Sequence, residues 1–223
     1  MKPLRVAVHR RRSRQILFWW ILPFILIAGW WFPVLGYFIP LCMAAGVGIA
    51  LFKGRYWCDW LCPRGSSFDL LLSRVSLKKK IPALFRDIKF RVLVMAVLMT
   101  VLITQLPKVW PSVDGMGRIF VIMLSITTMV GVILGILTHH RNWCTFCPVG
   151  TLGNVLGRGK KPLAITSACN ECTACDSVCP VQINRWQYRP EREEAAVIRE
   201  GDCLKCGLCV EACPQKALSL KDS

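Results

Sequence analysis

Acidic residues are scarce in this chain: 13 Asp and Glu stand against 29 Lys and Arg, giving a net charge of +16. The scarcity is uneven, because residues 1–161 hold 4 acidic and 22 basic residues while residues 162–223 hold 9 and 7. Charge of either sign is missing from residues 16–52, a run of 37 positions. With 54% hydrophobic residues and a mean hydropathy of +0.44, these absences exclude an ordinary soluble domain and point to a membrane protein with basic cytoplasmic loops. No nucleic-acid partner is expected, since the positive charge flanks apolar stretches rather than gathering on a soluble face. Anionic lipid headgroups are the expected counter-charge.

Other absences narrow the chemistry. No Gly-rich nucleotide fingerprint occurs, Gly46-Val47-Gly48 lying in an apolar run, so neither NAD nor flavin is expected. Only three histidines are present and none lies in the first three apolar stretches, which leaves a haem without facing axial ligands. His139 and His140 close the fourth stretch; solvation among basic loops is the expected role, with a proton-accepting quinol site as the rival. No Asp, Glu or Lys falls within the spans predicted below, so the carboxylate relay of a proton pump is missing. The run His9 to Arg14 ahead of an apolar stretch imitates a signal peptide, even a twin-arginine one. No small-residue cleavage site follows it, and an uncleaved first span is expected.

Thirty-seven uncharged residues are too many for one helix crossing about 30 Å of hydrocarbon. Two spans are predicted, Ile16 to Trp31 and Gly36 to Phe52, turning at Phe32-Pro33 with Trp19, Trp20, Trp30 and Trp31 at the interfaces. Residues 53–91 carry ten Lys and Arg, including Lys78 to Lys80. A third span runs from Phe90 to Pro107 and a fourth from Ile119 to Thr138, joined by a loop with Trp110, Pro111 and Asp114. Outside the C-terminal segment, 20 Lys and Arg fall on one side and only Lys108 and Arg118 on the other. The expected protein is multi-pass in the cytoplasmic (inner) membrane, with both termini cytoplasmic.

Each pair of spans is followed by a similar motif: Trp57-Cys58-Asp59-Trp60-Leu61-Cys62-Pro63-Arg64-Gly65-Ser66 and Trp143-Cys144-Thr145-Phe146-Cys147-Pro148-Val149-Gly150-Thr151. The copies differ by one residue, Leu61. Two repeats of hairpin and motif imply a pseudo-two-fold axis along the membrane normal, which would bring the motifs together. Cys58, Cys62, Cys144 and Cys147 match the ligand count of one further iron–sulfur cluster; alternatively each pair shapes a turn or forms a redox-active dithiol. Cys42, alone in the second span, reads as a small apolar residue.

The other eight cysteines form two runs, Cys169, Cys172, Cys175, Cys179 and Cys203, Cys206, Cys209, Cys213, each C-x2-C-x2-C-x3-C followed by proline (Pro180, Pro214). This is the spacing of bacterial ferredoxins with two [4Fe–4S] clusters, in which the fourth cysteine of each run ligates the other cluster. Cys169, Cys172, Cys175 and Cys213 would hold one cluster; Cys203, Cys206, Cys209 and Cys179 would hold the second. Zinc is the competing metal for paired Cys-x2-Cys units, and a disulfide framework is a third reading. Residues 181–202, with Arg185, Trp186 and the run Glu191 to Glu194, separate the two runs without an assignable role.

The expected fold is an all-α four-helix transmembrane domain of two hairpin repeats plus an α+β two-cluster bacterial ferredoxin-like domain. Its divisions are a basic cytoplasmic N-terminus at 1–15, the membrane domain at 16–152, a linker at 153–164 and the ferredoxin-like domain at 165–223.

In its four spans, Cys-Pro motifs and paired four-cysteine runs, the chain resembles the NapH, NosR and CcoG-type membrane-bound polyferredoxins, above all the quinol dehydrogenase membrane component type. That family's membrane motif is C-x3-C-P, from which Cys144-x2-Cys147-Pro148 departs by one residue. The resemblance implies an iron–sulfur electron-transfer subunit of a respiratory complex with no catalytic residue of its own, working between the quinone pool and a partner such as a multihaem cytochrome or ferredoxin-type protein. It implies cluster ligation by the eight C-terminal cysteines and names Cys58, Cys62, Cys144 and Cys147 as the membrane-motif thiols. Two alternatives follow: an electron-donating regulatory or maturation factor for a metalloenzyme, and a membrane dithiol redox sensor.

Overall fold

The computed structural model describes residues 2–190 and 195–221; the acidic run Glu191 to Glu194 lies outside them. Helix α1 (Lys2–Phe18) leads into α2 (Ile21–Ala28), and a 3-10 turn at Pro33–Tyr37 opens α3 (Phe38–Lys53). Four short helices follow at the first Cys-Pro motif and beyond it: α4 (Tyr56–Trp60), α5 (Pro63–Ser67), a π-helical turn at Phe68–Leu72 and α6 (Ser73–Val75). The long helices α7 (Ile88–Val109) and α8 (Val113–Leu137) form a hairpin, and the second motif folds as α9 (Asn142–Phe146) and α10 (Pro148–Leu156).

Among the described residues three helical stretches are long and apolar enough to cross a membrane: Pro33–Lys53, Ile88–Val109 and Val113–Leu137. The stretch Ile16 to Trp31 instead breaks between α1 and α2. Pro23 explains the break, because it has no N–H for the Trp19 carbonyl and its ring crowds that carbonyl. Ser67 Oγ takes the vacated place, donating to Trp19 O at 2.7 Å. The two long helices of the hairpin begin on side-chain caps: Asp87 accepts from the Lys89 N–H at 3.0 Å at the start of α7, and Ser112 accepts from the Gly115 N–H at 3.1 Å at the start of α8. Helix α7 shows Leu93, Val97 and Ile103 on its outside, an apolar exterior suited to hydrocarbon. Gly36 and Gly117 let the turn before α3 cross α8 backbone to backbone. A Cβ on Gly117 would lie 2.2 Å from Pro33 O, and one on Gly36 2.2 Å from Gly117 O.

The C-terminal segment is built on a three-stranded antiparallel sheet, ordered β2–β1–β3. Strand β1 (Leu163–Ile165) is central and fully buried; Leu163 pairs with Ile198 of β2 (Ala196–Ile198) and Leu220 of β3 (Leu218–Leu220). Two short helices, α11 (Ala174–Ser177) and α12 (Leu208–Ala212), carry the middle of each cysteine run. Residues 153–156 complete α10 and residues 163–164 belong to the sheet, so the stretch between helix and sheet narrows to residues 157–162.

This segment sits directly on the helical part. Asp202, beside Cys203, accepts from Arg55 Nη1 at 2.7 Å, Arg91 Nη1 at 2.8 Å and Nη2 at 2.6 Å, and Asn154 Nδ2 at 2.6 Å. Gln182 bridges the loop before α7, accepting from the Ile81 N–H at 2.9 Å and donating to Lys79 O at 3.1 Å. Arg86 Nη2 donates to Val181 O at 2.7 Å and Gln182 O at 2.9 Å. Arg55, Arg91 and Arg141 are among the largest fully buried side chains. Their counter-charges are therefore carboxylates of this chain, Asp202 for Arg55 and Arg91 and Asp69 for Arg141.

Replacing Asp202 by Ala strips the carboxylate from two buried guanidiniums, a loss of about 3–5 kcal/mol. The variant is expected to melt well below the parent and to expose residues 157–162 to protease. A parent-like melting curve and cleavage pattern would show that this contact does not hold the two parts together.

Candidate iron–sulfur centres

The two C-terminal cysteine runs share one backbone design. Glu171 and Lys205 each stand two residues after a first cysteine and have φ of 58° and 56°; Thr173 and Gly207, after each second cysteine, have φ of 57° and 77°. Gln182 and Lys216, three after each final cysteine, have φ of 52° and 51°. Left-handed residues at matched positions curl each loop tightly enough for its three thiols to share one side. The final cysteines match as well: Cys179 Sγ accepts the Ile183 N–H at 3.4 Å, and Cys213 Sγ the Ala217 N–H at 3.3 Å.

Cys169, Cys172, Cys175 and Cys213 line a single small concavity with Ile165, Trp186 and Leu218. Cys179 instead joins the second run: it packs with Cys203, Val181, Ile183 and Leu204, and Cys209 faces both Cys203 and Cys179. Cys206 is the neighbour of Cys209. The chain thus brings the final thiol of each run to the other run. Burial pushes the Cys209 thiol up to about 11 and raises Cys206; Cys175, pushed up to about 12, also feels the adjacent Asp176. Thiolates are stable in such surroundings only against a positive partner.

The four membrane-motif thiols also meet. Cys58, Cys62, Cys144 and Cys147 line one cavity of about 140 Å³, walled on the other side by apolar residues of α2, α3, α7 and α8 such as Leu22, Ile39, Leu98 and Leu124. Cys42 of α3 lines the same space. The halves are related by exchange: Arg141 Nη1 donates to Cys58 O at 2.8 Å, and Arg55 Nη2 donates to Cys144 O. Gly65 and Gly150 admit these guanidiniums, since a Cβ on either would lie 2.9 Å from the arginine nitrogen. Leu61, the extra residue, is absorbed by a wider turn. The Cys62 N–H reaches back five residues to Trp57 O at 2.9 Å, whereas the Cys147 N–H reaches back four to Trp143 O at 3.0 Å. Both second cysteines then open a helix at proline, in α5 and α10.

Around this core, Arg141 Nε donates to Asp69 Oδ1 at 2.6 Å, while Arg11 Nε donates to Asp59 at 2.9 Å and Arg11 also pairs with Asp69. Gln15 Nε2 donates to Asp59 O at 3.3 Å and to Asp69 at 2.7 Å, tying α1 to the first motif and to the carboxylate that Arg141 pairs with. Burial pushes the thiols of Cys58, Cys62 and Cys144 up, Cys62 to about 12, and Arg55 and Arg141 oppose this at Cys58 and Cys144. Trp143, a buried wall residue, has an indole N–H with no hydrogen-bond partner among the described residues, which suits a ligand offering acceptors. Among those residues no three His, Cys, Asp or Glu side chains are close enough to grip a single metal ion. A cubane is held by thiols set wider apart than the ligands of one ion.

The histidines are not solvated at an interface. His139 is buried, its ring centroid 4.2 Å from that of His140; burial and His140 push it down to about 4. Its Nδ1 accepts the Arg141 N–H at 3.2 Å, and His140 Nε2 lies 3.4 Å from Asp69 Oδ1. Both are part of the scaffold of Arg141. Sequence reading had also passed over Arg55 and Arg141 themselves. The signal was present: Arg55-Tyr56-Trp57-Cys58 and Arg141-Asn142-Trp143-Cys144 are both R-x-W-C.

Comparison with known proteins bears on all three thiol sets. A 4Fe-4S binding domain family matches residues 35–82 and 121–165, which hold both membrane motifs, and a 4Fe-4S dicluster domain family matches residues 168–217. The ferredoxin-type protein NapH of Haemophilus influenzae is 26% identical over 179 residues, 75% of this chain and 62% of that protein. The methylamine utilization ferredoxin-type protein MauN of Methylobacillus flagellatus is 31% identical over 151 residues, 58% of this chain and 50% of MauN. A ferredoxin of Methanothermococcus thermolithotrophicus is 31% identical over 52 residues, 23% of this chain and 80% of that protein. The chain therefore spans less than two thirds of the length of NapH or MauN. No solved structure matches it. With apolar helices long enough to cross a membrane, 4Fe-4S domain families matching all three thiol sets and ferredoxin-type relatives, it is a membrane-associated, ferredoxin-type iron–sulfur electron-transfer protein, similar to the NapH-like membrane-bound polyferredoxins.

Proposed function

We propose that the chain is an integral-membrane electron-transfer subunit with three [4Fe–4S] clusters, relaying electrons between a redox partner at its ferredoxin-like segment and the membrane, where the quinone pool is the exchange partner. The order of the thiol sets supports this reading. Cys175 of the first set and Cys209 of the second share one apolar cluster, and Cys179 and Cys203 of the second share another with Cys58 of the membrane-motif set. The three sets adjoin in series, from an exposed corner at Cys172 to a cavity walled by membrane helices.

When bound, the clusters supply one-electron chemistry. The protein's own residues hold them, keep water out and supply positive charge. Cys169, Cys172, Cys175 and Cys213 hold the first; Cys179, Cys203, Cys206 and Cys209 hold the second; Cys58, Cys62, Cys144 and Cys147 hold the third. The meeting of all four membrane-motif thiols at one cavity favours a shared cluster over two independent dithiols. The excess of 20 basic residues over 2 supports a cytoplasmic position for both ends and the ferredoxin-like segment. Four crossings result if the broken α1–α2 stretch counts as the first.

Replacing Cys58, Cys62, Cys144 and Cys147 by Ser is expected to remove about one third of the iron and sulfide from anaerobically purified protein while the EPR signals of the ferredoxin pair persist. Unchanged iron would end the third-cluster assignment. Oxidised protein in nanodiscs, mixed with a quinol, is expected to develop the EPR signals of reduced clusters. Spectra indifferent to quinol would exclude the quinone pool as a direct partner.

A further inference from the structure

The stretch between the two cysteine runs contains Arg185, which is 3% exposed. Its Nη2 donates to Cys179 Sγ at 3.1 Å, and its Nη1 donates to Ile183 O at 3.2 Å and Cys175 O at 3.4 Å. The other deeply buried arginines, Arg55, Arg91 and Arg141, each pair with a carboxylate. Arg185 does not: among the described residues its guanidinium faces the thiols of Cys209, Cys179 and Cys203. Asp176 reaches only its backbone, accepting the Arg185 N–H at 3.1 Å. A buried guanidinium without an anion is costly, so the counter-anion belongs at this thiol set.

We propose that Arg185 sets the reduction potential of the cluster held by Cys179, Cys203, Cys206 and Cys209, keeping it above the value that burial alone would impose. The inference rests on the ligand assignment given under the proposed function. Reduction adds one negative charge to a cluster already held by thiolates, and a buried setting disfavours that extra charge. A guanidinium beside the sulfur favours the reduced state and raises the potential. The first set lacks this device. Among the described residues Cys213, the counterpart of Cys179, accepts the matching backbone N–H from Ala217 but no arginine, and Asp176 lies 3.6 Å from Cys175 Sγ. The first set has solvent access instead, Cys172 being exposed where Cys179, Cys203 and Cys209 are buried. Since the second set stands between the first set and Cys58, an uncompensated potential there would interrupt the series.

The test is an anaerobic redox titration of the full chain followed by EPR, with Cys172→Ser used to assign the first set's signal. At the parent's midpoint for the second cluster, Arg185→Gln is expected to lower the reduced-to-oxidised ratio about tenfold while the first cluster's midpoint stays put and iron and sulfide remain at parent levels. Arg185→Lys keeps the charge but loses the forked donor, and should shift the same signal downward by less. Equal movement of both signals, or of neither, would overturn the proposal. If Arg185→Gln does not load iron, the Lys variant decides, and an unshifted second cluster there overturns it. Absence of cubane signals from the parent would instead overturn the ligand assignment.

Discussion

Two guanidiniums exchanged between the Cys-Pro motifs tie together the two halves of the thiol-lined cavity. Arg55 precedes the first motif and serves the second; Arg141 precedes the second and serves the first. Neither motif is complete without the other, although 83 residues separate Cys58 from Arg141. Both arginines are fully buried, so each demands an anion close by. The few acids of the front part are spent accordingly. Of its four, Asp59 and Asp69 lie at Arg141, and Arg55 draws its partner, Asp202, from the C-terminal segment. The first helix is recruited by the same need, since Arg11 and Gln15 close the network around Asp59 and Asp69.

The cysteine runs were legible in the sequence because ligand spacing is local geometry: three thiols with two residues between each, on a tightly curled loop, point one way whatever surrounds them. The exchange of Cys179 and Cys213 follows from the same spacing and from the proline behind each. The meeting of Cys58, Cys62, Cys144 and Cys147 was one reading among several, because it depends on packing between segments some 80 residues apart. The one-residue difference between the motifs turned out to be a matter of turn width, five residues at Cys62 against four at Cys147. Hydropathy counting placed a span at Ile16 to Trp31, yet it registers length and polarity rather than the Trp19 carbonyl that Pro23 leaves without a partner in its own helix, Ser67 taking that place. Charge counting likewise does not separate the buried Arg55, Arg91 and Arg141 from the neighbouring surface lysines; only the repeated R-x-W-C pattern sets two of them apart.

The same carboxylate explains why the C-terminal segment is docked rather than tethered. Arg55 can reach Asp202 only if three backbones come almost into contact, and glycine occupies each. Gly54, with φ of 61°, turns the chain out of α3; a Cβ on Gly157 would lie 2.4 Å from Gly54 Cα, and one on Gly201 would lie 2.4 Å from Asn154 Oδ1. Asn154 itself donates to Asp202, so the end of α10, the end of α3 and the loop ahead of Cys203 converge on one charge. Docking at this point places Cys179 and Cys203 in the same apolar cluster as Cys58. A flexible joint would leave that spacing to chance, and electron transfer between centres falls off steeply as they separate. Rigid contact costs the chain two buried guanidiniums and several bare backbone crossings. In return, the thiol sets keep a fixed order from the exposed Cys172 to the cavity among the membrane helices.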